Sequence, residues 1–300
     1  MGTAQADSLK LLSLHTVHFI NICSKTSHDQ TRRNYYDHKK IGIIGCGNMG
    51  GAILYGALES GVLNKENVYV YDINPAMMEK AKGWGVNLAE NDEDVCQKSE
   101  IILLAVKPQN AAEALAQCQK ALDGKALMSI VAGVTVERLQ NMIDGTPRIL
   151  RLLPNTPAMV FEGAFALCSD NDLTEEELEA AKSLYSTIGV VEMIPEHLLD
   201  AACGLSGGGP AYVAMFIEAM ADGGVKQGLP RATAYRLAAQ TCLGTAKMIL
   251  EKGIHPGELK DMVTSPGGTT IEGCEALEKA GMRGAVIECI NVSTEKSRSL

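Results

Sequence analysis

Ile41-Gly42-Ile43-Ile44-Gly45-Cys46-Gly47-Asn48-Met49-Gly50 decides how this chain folds. A short apolar run ends in three glycines at the G-x-G-x-x-G spacing, and Ala52-Ile53-Leu54-Tyr55-Gly56-Ala57-Leu58 follows with the character of a helix. Strand, tight turn and helix is the order a pyrophosphate needs. Gly45 permits the sharp turn, Gly47 lets the backbone come close to a ligand, Gly50 lets helix and strand pack, and amides at the helix start face the anion. The spacing alone also occurs in ordinary glycine-rich turns; the flanking strand and helix give it weight.

Outward from this unit, strand-like and helix-like stretches alternate. Asn67-Val68-Tyr69-Val70-Tyr71-Asp72 is a β-branched and aromatic run, and Asn74-Pro75 then opens a helix with Asn as N-cap and Pro in the first turn. Asp72 lies 22 residues past Gly50, where an acid at the end of a second strand accepts hydrogen bonds from an adenosine ribose. A carboxylate there repels a 2′-phosphate; the alternative is a strand-end cap. Further strands are expected over Ile101-Ile102-Leu103-Leu104-Ala105-Val106, over 126–131 and over 148–153. They are closed by Lys107-Pro108, by Ala132-Gly133-Val134-Thr135 and by Pro154-Asn155-Thr156-Pro157. Residues 164–168 and 189–193 add two candidates, and Thr174-x-x-Glu177 between them is a capping box. Regular alternation implies an α/β fold with a doubly wound, mostly parallel sheet of Rossmann type.

From about Leu198 no strand is expected. Gly207-Gly208-Gly209-Pro210 leads into Ala211-Tyr212-Val213-Ala214-Met215-Phe216-Ile217, apolar around most of a helix and so buried on several sides, with a second subunit able to supply the cover. Further helices begin at Pro230 and Pro256 and after Thr264-Ser265-Pro266-Gly267-Gly268-Thr269-Thr270. The expected division is a leader over 1–39 without structure, a dinucleotide-binding domain over 40–197 and a helical domain over 198–300.

With 300 residues, 46% of them hydrophobic, the chain can bury a large core. A net charge of −9 argues against nucleic acid or an anionic membrane as partner. No apolar run reaches the roughly 18 residues of a membrane helix. Nine scattered cysteines with no C-x-x-C pair suit a reducing, cytoplasmic setting and no zinc site. The first forty residues hold four of the six histidines, too irregularly spaced for a metal.

A Rossmann half without a P-loop lysine signature points to a redox dinucleotide. Outside the leader only His197 and His255 could serve as histidine acid or base, and neither sits in a constellation. Ser265 to Thr270 offers something else: a proline-stiffened, glycine-flexible loop whose hydroxyls and amides start a helix and suit a small carboxylate. The alternative is a capped connection between helices.

Over about 40–296 the chain resembles pyrroline-5-carboxylate reductase. The resemblance is carried by the opening glycine motif, Ala105-Val106-Lys107-Pro108, Ala132-Gly133-Val134-Thr135, Pro154-Asn155-Thr156-Pro157, Gly204-Leu205-Ser206-Gly207-Gly208-Gly209-Pro210-Ala211-Tyr212, His255-Pro256-Gly257-Glu258-Leu259-Lys260-Asp261 and, most specific, Ser265-Pro266-Gly267-Gly268-Thr269-Thr270-Ile271. It implies hydride transfer from NADPH or NADH to the C=N carbon of 1-pyrroline-5-carboxylate, giving L-proline. Ile44, Gly45, Cys46, Gly47, Asn48 and Met49 would hold the pyrophosphate. Asp72 and Asn74 fall on the adenosine side, Ala105 to Pro108 on the ribose and nicotinamide side, and Ala132-Gly133 at the ring. Ser265, Gly267, Gly268 and Thr269 would grip the substrate carboxylate, Thr270 would hydrogen-bond the imine nitrogen, and Glu196 matches a position on the proline side. Pairing through the helical domains would bring each signature loop to the partner's site, within a ring of five dimers.

The departures are Gly208 for a small polar residue, Asp72 where many members carry an uncharged residue suited to NADPH, Asp92 (beside Asn91) at an adenine-side position, and the leader, which has no counterpart. Other readings are a related imine or β-hydroxyacid reductase on another small carboxylate, and a non-catalytic dinucleotide-binding regulator.

Overall fold

The computed structural model describes residues 35–299. Eight strands form one sheet: β1 (Ile41–Ile44), β2 (Val68–Tyr71), β3 (Asn87–Leu88), β4 (Ile101–Leu104), β5 (Ala126–Ser129), β6 (Arg148–Leu153), β7 (Gly163–Cys168) and β8 (Gly189–Ile194), in the order 3-2-1-4-5-6-7-8. The first six run parallel, in the strand order of a dinucleotide-binding sheet. β1, β4 and β5 are buried at every position, because helices cover both faces. One face carries α1 (Asn48–Glu59), α2 (Pro75–Gly83) and α6 (Glu175–Ser186); the other carries α3 (Asp92–Lys98), α4 (Ala111–Cys118) and α5 (Val136–Asn141). Asn74 caps α2 by accepting from the Ala76 amide at 3.0 Å, with Pro75 in its first turn. Thr174 and Glu177 close the capping box of α6. Glu177 also takes a two-pronged bond from Arg148 of β6, at 2.8 and 2.6 Å, which fastens α6 to the sheet.

β7 runs antiparallel to β6, and β8 parallel to β7. Register decides what this reversal does. Leu152 pairs with Leu167, so Cys168 and its neighbour Ile194 lie level with Arg151, which is itself paired with Ser129 at the end of β5. The last strand therefore returns the chain to the C-terminal edge of the parallel strands, where ligands of open α/β sheets bind.

Two expectations need correction here. β3 is a strand that sequence periodicity does not show: two exposed residues, Asn87 and Leu88, paired with Tyr69 and Val70. The start of the core lies before Lys40, because Tyr36 is 1% exposed and packs with β1 and Tyr185 of α6. A lone aromatic in a polar stretch carries no periodicity, and residues 35–39, expected without structure, contribute Tyr36 to the core. Residues 1–34 of the expected leader lie outside the described residues.

Every element after Ile194 is helical among the described residues: α7 (Leu199–Ala202), a π turn (Cys203–Gly207), α8 (Gly209–Lys226), α9 (Arg231–Lys252), α10 (Pro256–Val263), α11 (Thr269–Lys279) and α12 (Met282–Arg298). α8 and α9 pack as a hairpin on a small core of Ala221, Ala234 and Ala238. α12 folds back onto α7 and the π turn. Gly204 lies so close to it that a Cβ would come within 2.9 Å of the Ile290 carbonyl, and Ser297 donates to Asp200 at 2.7 Å. Asn155, at the end of β6, joins the halves by donating to the Ser206 carbonyl at 3.1 Å and accepting from the Ala164 amide at 2.8 Å. The α8 residues expected to be buried on several sides are open in the single chain. Met215 is 69% exposed, and Leu243 and Leu250 of α9 are 53% and 71% exposed. An apolar surface of this extent is the mark of an interface.

Candidate active site

The glycine loop sits where β1 hands over to α1. Gly45 has φ +92°, and a Cβ there would stand 2.6 Å from the Ala105 carbonyl. Only glycine meets both demands. A Cβ at Gly50 would collide with the Gly45 carbonyl oxygen, so the third glycine is what lets α1 start this close to its strand. Gly47 caps α1 without any side-chain hydrogen bond, and nothing lies within 4 Å of where its Cβ would be. Open space and unpaired amides at a helix start are the cradle a pyrophosphate fits. The candidate residues divide by exposure. Asn48 is exposed, and Gly47 and Met49 are half-buried. Ile44 and Cys46 are buried, so they can meet a ligand only through backbone. The Ile44 carbonyl accepts from the Ala105 amide at 2.8 Å.

Asp72 ties this loop to the next. One carboxylate oxygen accepts from the Cys46 amide at 2.6 Å and the other from the Asn74 amide at 2.8 Å. The Cys46 thiol is pushed up to about 11, by burial first and then by the Asp72 charge. Asp92, at the start of α3, is 5% exposed. Burial, helped by the charges of Asp72 and Glu113, raises its carboxyl from 3.8 to about 6.

Because β1, β2, β4 and β5 are parallel, Gly45, Asp72, Ala105 and Ala132 emerge at one edge. Ala105, Val106, Ala132 and Gly133 are half-buried there, while Lys107 and Pro108 are exposed. Glu196 joins them from the end of β8. Its Oε1 accepts from the Val136 amide at 2.8 Å, at the head of α5, and from Arg151 Nη1 at 3.2 Å. Arg151 is a neighbour of Glu196 that sequence reading does not single out. The available signal was a charge inside the apolar run Ile149-Leu150-Arg151-Leu152-Leu153, since such a charge needs a buried partner.

The signature loop belongs to the helical half, between α10 and α11. Ser265, Gly267, Thr269 and Thr270 are exposed and Gly268 is half-buried. The Gly268 amide donates to the Ser265 carbonyl at 3.0 Å, and α11 begins without a side-chain cap. Among the described residues no hydrogen bond or ion pair runs from this loop to the sheet, so the chain presents the two candidate walls separately. His255 is a structural histidine: its Nδ1 accepts from the Gly257 amide at 3.1 Å and caps α10.

Comparison with known proteins matches this two-part arrangement. A family model for NADP oxidoreductase, coenzyme F420-dependent, matches residues 40–133, and one for pyrroline-5-carboxylate reductase dimerisation matches 196–300. Pyrroline-5-carboxylate reductase of Methanosarcina acetivorans is 41% identical over 267 residues, covering 88% of this chain and 98% of the relative. The chain belongs to the pyrroline-5-carboxylate reductase family. The Escherichia coli reductase is 44% identical over 264 residues, covering 87% of this chain and 98% of its own. A crystal structure of the Plasmodium falciparum reductase with NADP bound aligns at TM-score 0.80 and 32% identity, over 88% of this chain and 98% of that one. The Coxiella burnetii reductase aligns at TM-score 0.82 and 28% identity, over the same shares. Membership makes the chain an NAD(P)-linked oxidoreductase with a Rossmann half and a dimerisation half. No helix among the described residues is long and apolar enough to cross a membrane.

Proposed function

We propose that this chain reduces 1-pyrroline-5-carboxylate to L-proline at a site whose two walls come from the two subunits of a dimer. The observation that carries the reading is the first turn of α11, where exposed hydroxyls and uncapped amides follow an intact signature loop. Free amides at a helix start suit a carboxylate, and this one is attached to a sheet that carries a dinucleotide loop. Reduced nicotinamide, when bound, would supply the hydride for the imine carbon, with the C=N π pair passing to the nitrogen, which takes up one proton.

The chain's own residues hold and orient. Gly47, Asn48 and Met49 receive the pyrophosphate, with Ile44, Gly45 and Cys46 shaping the loop beneath. Ala105 to Pro108 and Ala132-Gly133 line the nicotinamide side. Ser265 and Gly267 to Thr269 take the substrate carboxylate, and the Thr270 hydroxyl holds the nitrogen that gains the proton. An iminium is already a strong electrophile, so positioning supplies most of the rate. Glu196 keeps the Ala132-Gly133 loop in place through Val136. The domain division is 40–197 for the dinucleotide, with Tyr36 just ahead of it packed into the same core, and 198–300 for pairing, which would cover the exposed faces of α8 and α9. The resemblance extends this to a ring of five dimers. The eight described cysteines are all free, which supports a reducing, cytoplasmic setting.

The deciding assay follows NADH and NADPH absorbance on adding pyrroline-5-carboxylate, with open-chain oxo acids as competitors. Oxidation is expected, and Thr270→Ala is expected to lower kcat by about 10²-fold, as for loss of one transition-state donor, with dinucleotide affinity retained. A flat trace with tight dinucleotide binding would mean a regulator rather than an enzyme. A better rate on an oxo acid would replace the proline assignment.

A further inference from the structure

The carboxylate of Asp72 is fixed more firmly than a strand-end cap requires. It receives one amide from the glycine loop, Cys46 at 2.6 Å, and one from its own loop, Asn74 at 2.8 Å. Two backbone donors keep the group from swinging aside when a ligand arrives. Each oxygen retains a second acceptor position, and two acceptors are what the paired hydroxyls of an adenosine ribose need.

The two positions that follow Asp72 offer no cation to a phosphate on that ribose. Ile73 is 74% exposed and Asn74 is exposed, so neither position beyond the strand offers a cation. Asp92 adds a second carboxyl close enough to feel the charge of Asp72. Lys80 is the cation near this loop, and its ammonium lies over the Trp84 ring, 5.2 Å from the centroid. A 2′-phosphate would bring about −1.5 to −2 charges against this corner. We infer that Asp72, held on the Cys46 and Asn74 amides, makes this chain prefer NADH over NADPH by disfavouring the 2′-phosphate. The inference rests on the dinucleotide-binding part of the proposed function. The NADP in the Plasmodium falciparum structure belongs to a protein 32% identical to this one and does not decide the matter.

Binding can be read without turnover. Trp84 is the chain's single tryptophan and lies against Tyr55 of α1, with ring centroids 5.7 Å apart. Energy transfer from Trp84 to bound reduced nicotinamide quenches its emission, and a titration gives dissociation constants directly. NADH is expected to bind at least about tenfold more tightly than NADPH, the size of effect like charges produce a few ångströms apart at a partly solvated site. In competition, 5′-AMP should displace NADH more effectively than adenosine 2′,5′-bisphosphate, a comparison that needs no variant.

Asp72→Ser and Asp72→Asn should each move the NADH-to-NADPH affinity ratio about tenfold towards NADPH. The asparagine keeps the side-chain shape and one acceptor should the serine variant fold poorly, and thermal melting of each variant checks this. Equal affinities in the parent chain, or a ratio unmoved by both variants, would overturn the selectivity while leaving dinucleotide binding intact. Binding of neither dinucleotide would overturn both readings.

Discussion

Replacing Glu196 separates a clamp from a substrate contact. In the structure Glu196 Oε1 accepts from Arg151 Nη1 and from the Val136 amide, and the side chains of Arg151 and Glu196 are 7% and 27% exposed. Removing the partner of a fully buried charge costs about 3–5 kcal/mol, because the remaining ion is left without compensation. Here the loss of Glu196 opens a route for water to the guanidinium, so Glu196→Ala is expected to cost about 2–3 kcal/mol. Glu196→Gln keeps an acceptor for Val136 but removes the charge, and should cost about half as much. The assay is urea unfolding followed by circular dichroism, without dinucleotide and at one protein concentration, since subunit pairing makes stability concentration-dependent. Steady-state kinetics on the same preparations give the KM for pyrroline-5-carboxylate. A clamp lowers the urea midpoint in the order Ala below Gln below parent. If Glu196→Ala unfolds with the parent while KM rises about tenfold, the carboxylate is a substrate contact and the energetic argument is wrong.

Two further outcomes follow from groups already described. The Asp92 carboxyl stands at about 6 in the folded chain, above its ordinary value of 3.8, so between those values the folded state holds a proton that the unfolded state has released. The contribution of this one group to stability is therefore largest below that window and falls by about 2–3 kcal/mol as pH rises through it. Asp92→Asn should flatten urea midpoints between pH 4 and 6 and unfold later than the parent at pH 7.5; parallel pH profiles would refute the assignment. Gly50→Ala would drive a methyl group into the Gly45 carbonyl oxygen and to 2.9 Å from the Ala105 Cβ. It should cost about 1–3 kcal/mol and weaken dinucleotide binding at least about tenfold by Trp84 quenching; unchanged binding would mean the loop is not a pyrophosphate cradle.

Local chemistry was legible in the sequence where one short segment carried it. The strand–glycine–helix order, the Asn74-Pro75 helix start and the Thr174–Glu177 box each depend on residues a few positions apart, and each forms as read. Long-range contacts were not legible. Glu196 finds Val136 and Arg151 across separations of 60 and 45 residues, and only the reversal and stagger of β7 and β8 bring them together. β3 escaped notice because two exposed residues at a sheet edge have no period to detect. Tyr36 escaped because its burial depends on β1 and α6 rather than on its own neighbours. The apolar character of α8 was plain, but its cover lies outside the single chain, so the same residues read as core in sequence and as open surface in structure.

The return of α12 onto α7 orders events during synthesis. The sheet half is complete once Ile194 has been made, because β8 is its last strand. The helical half stays open until the far end of α12 exists, since Ser297 must reach Asp200 and the helix must settle against Gly204. Domains that are finished early fold early as the chain emerges, whereas contacts spanning a long separation wait. Met215 of α8 and Leu250 of α9 remain exposed even after α12 has closed. Closing the helical half therefore waits on α12, whereas the sheet half depends on no residue beyond Ile194 for its strands.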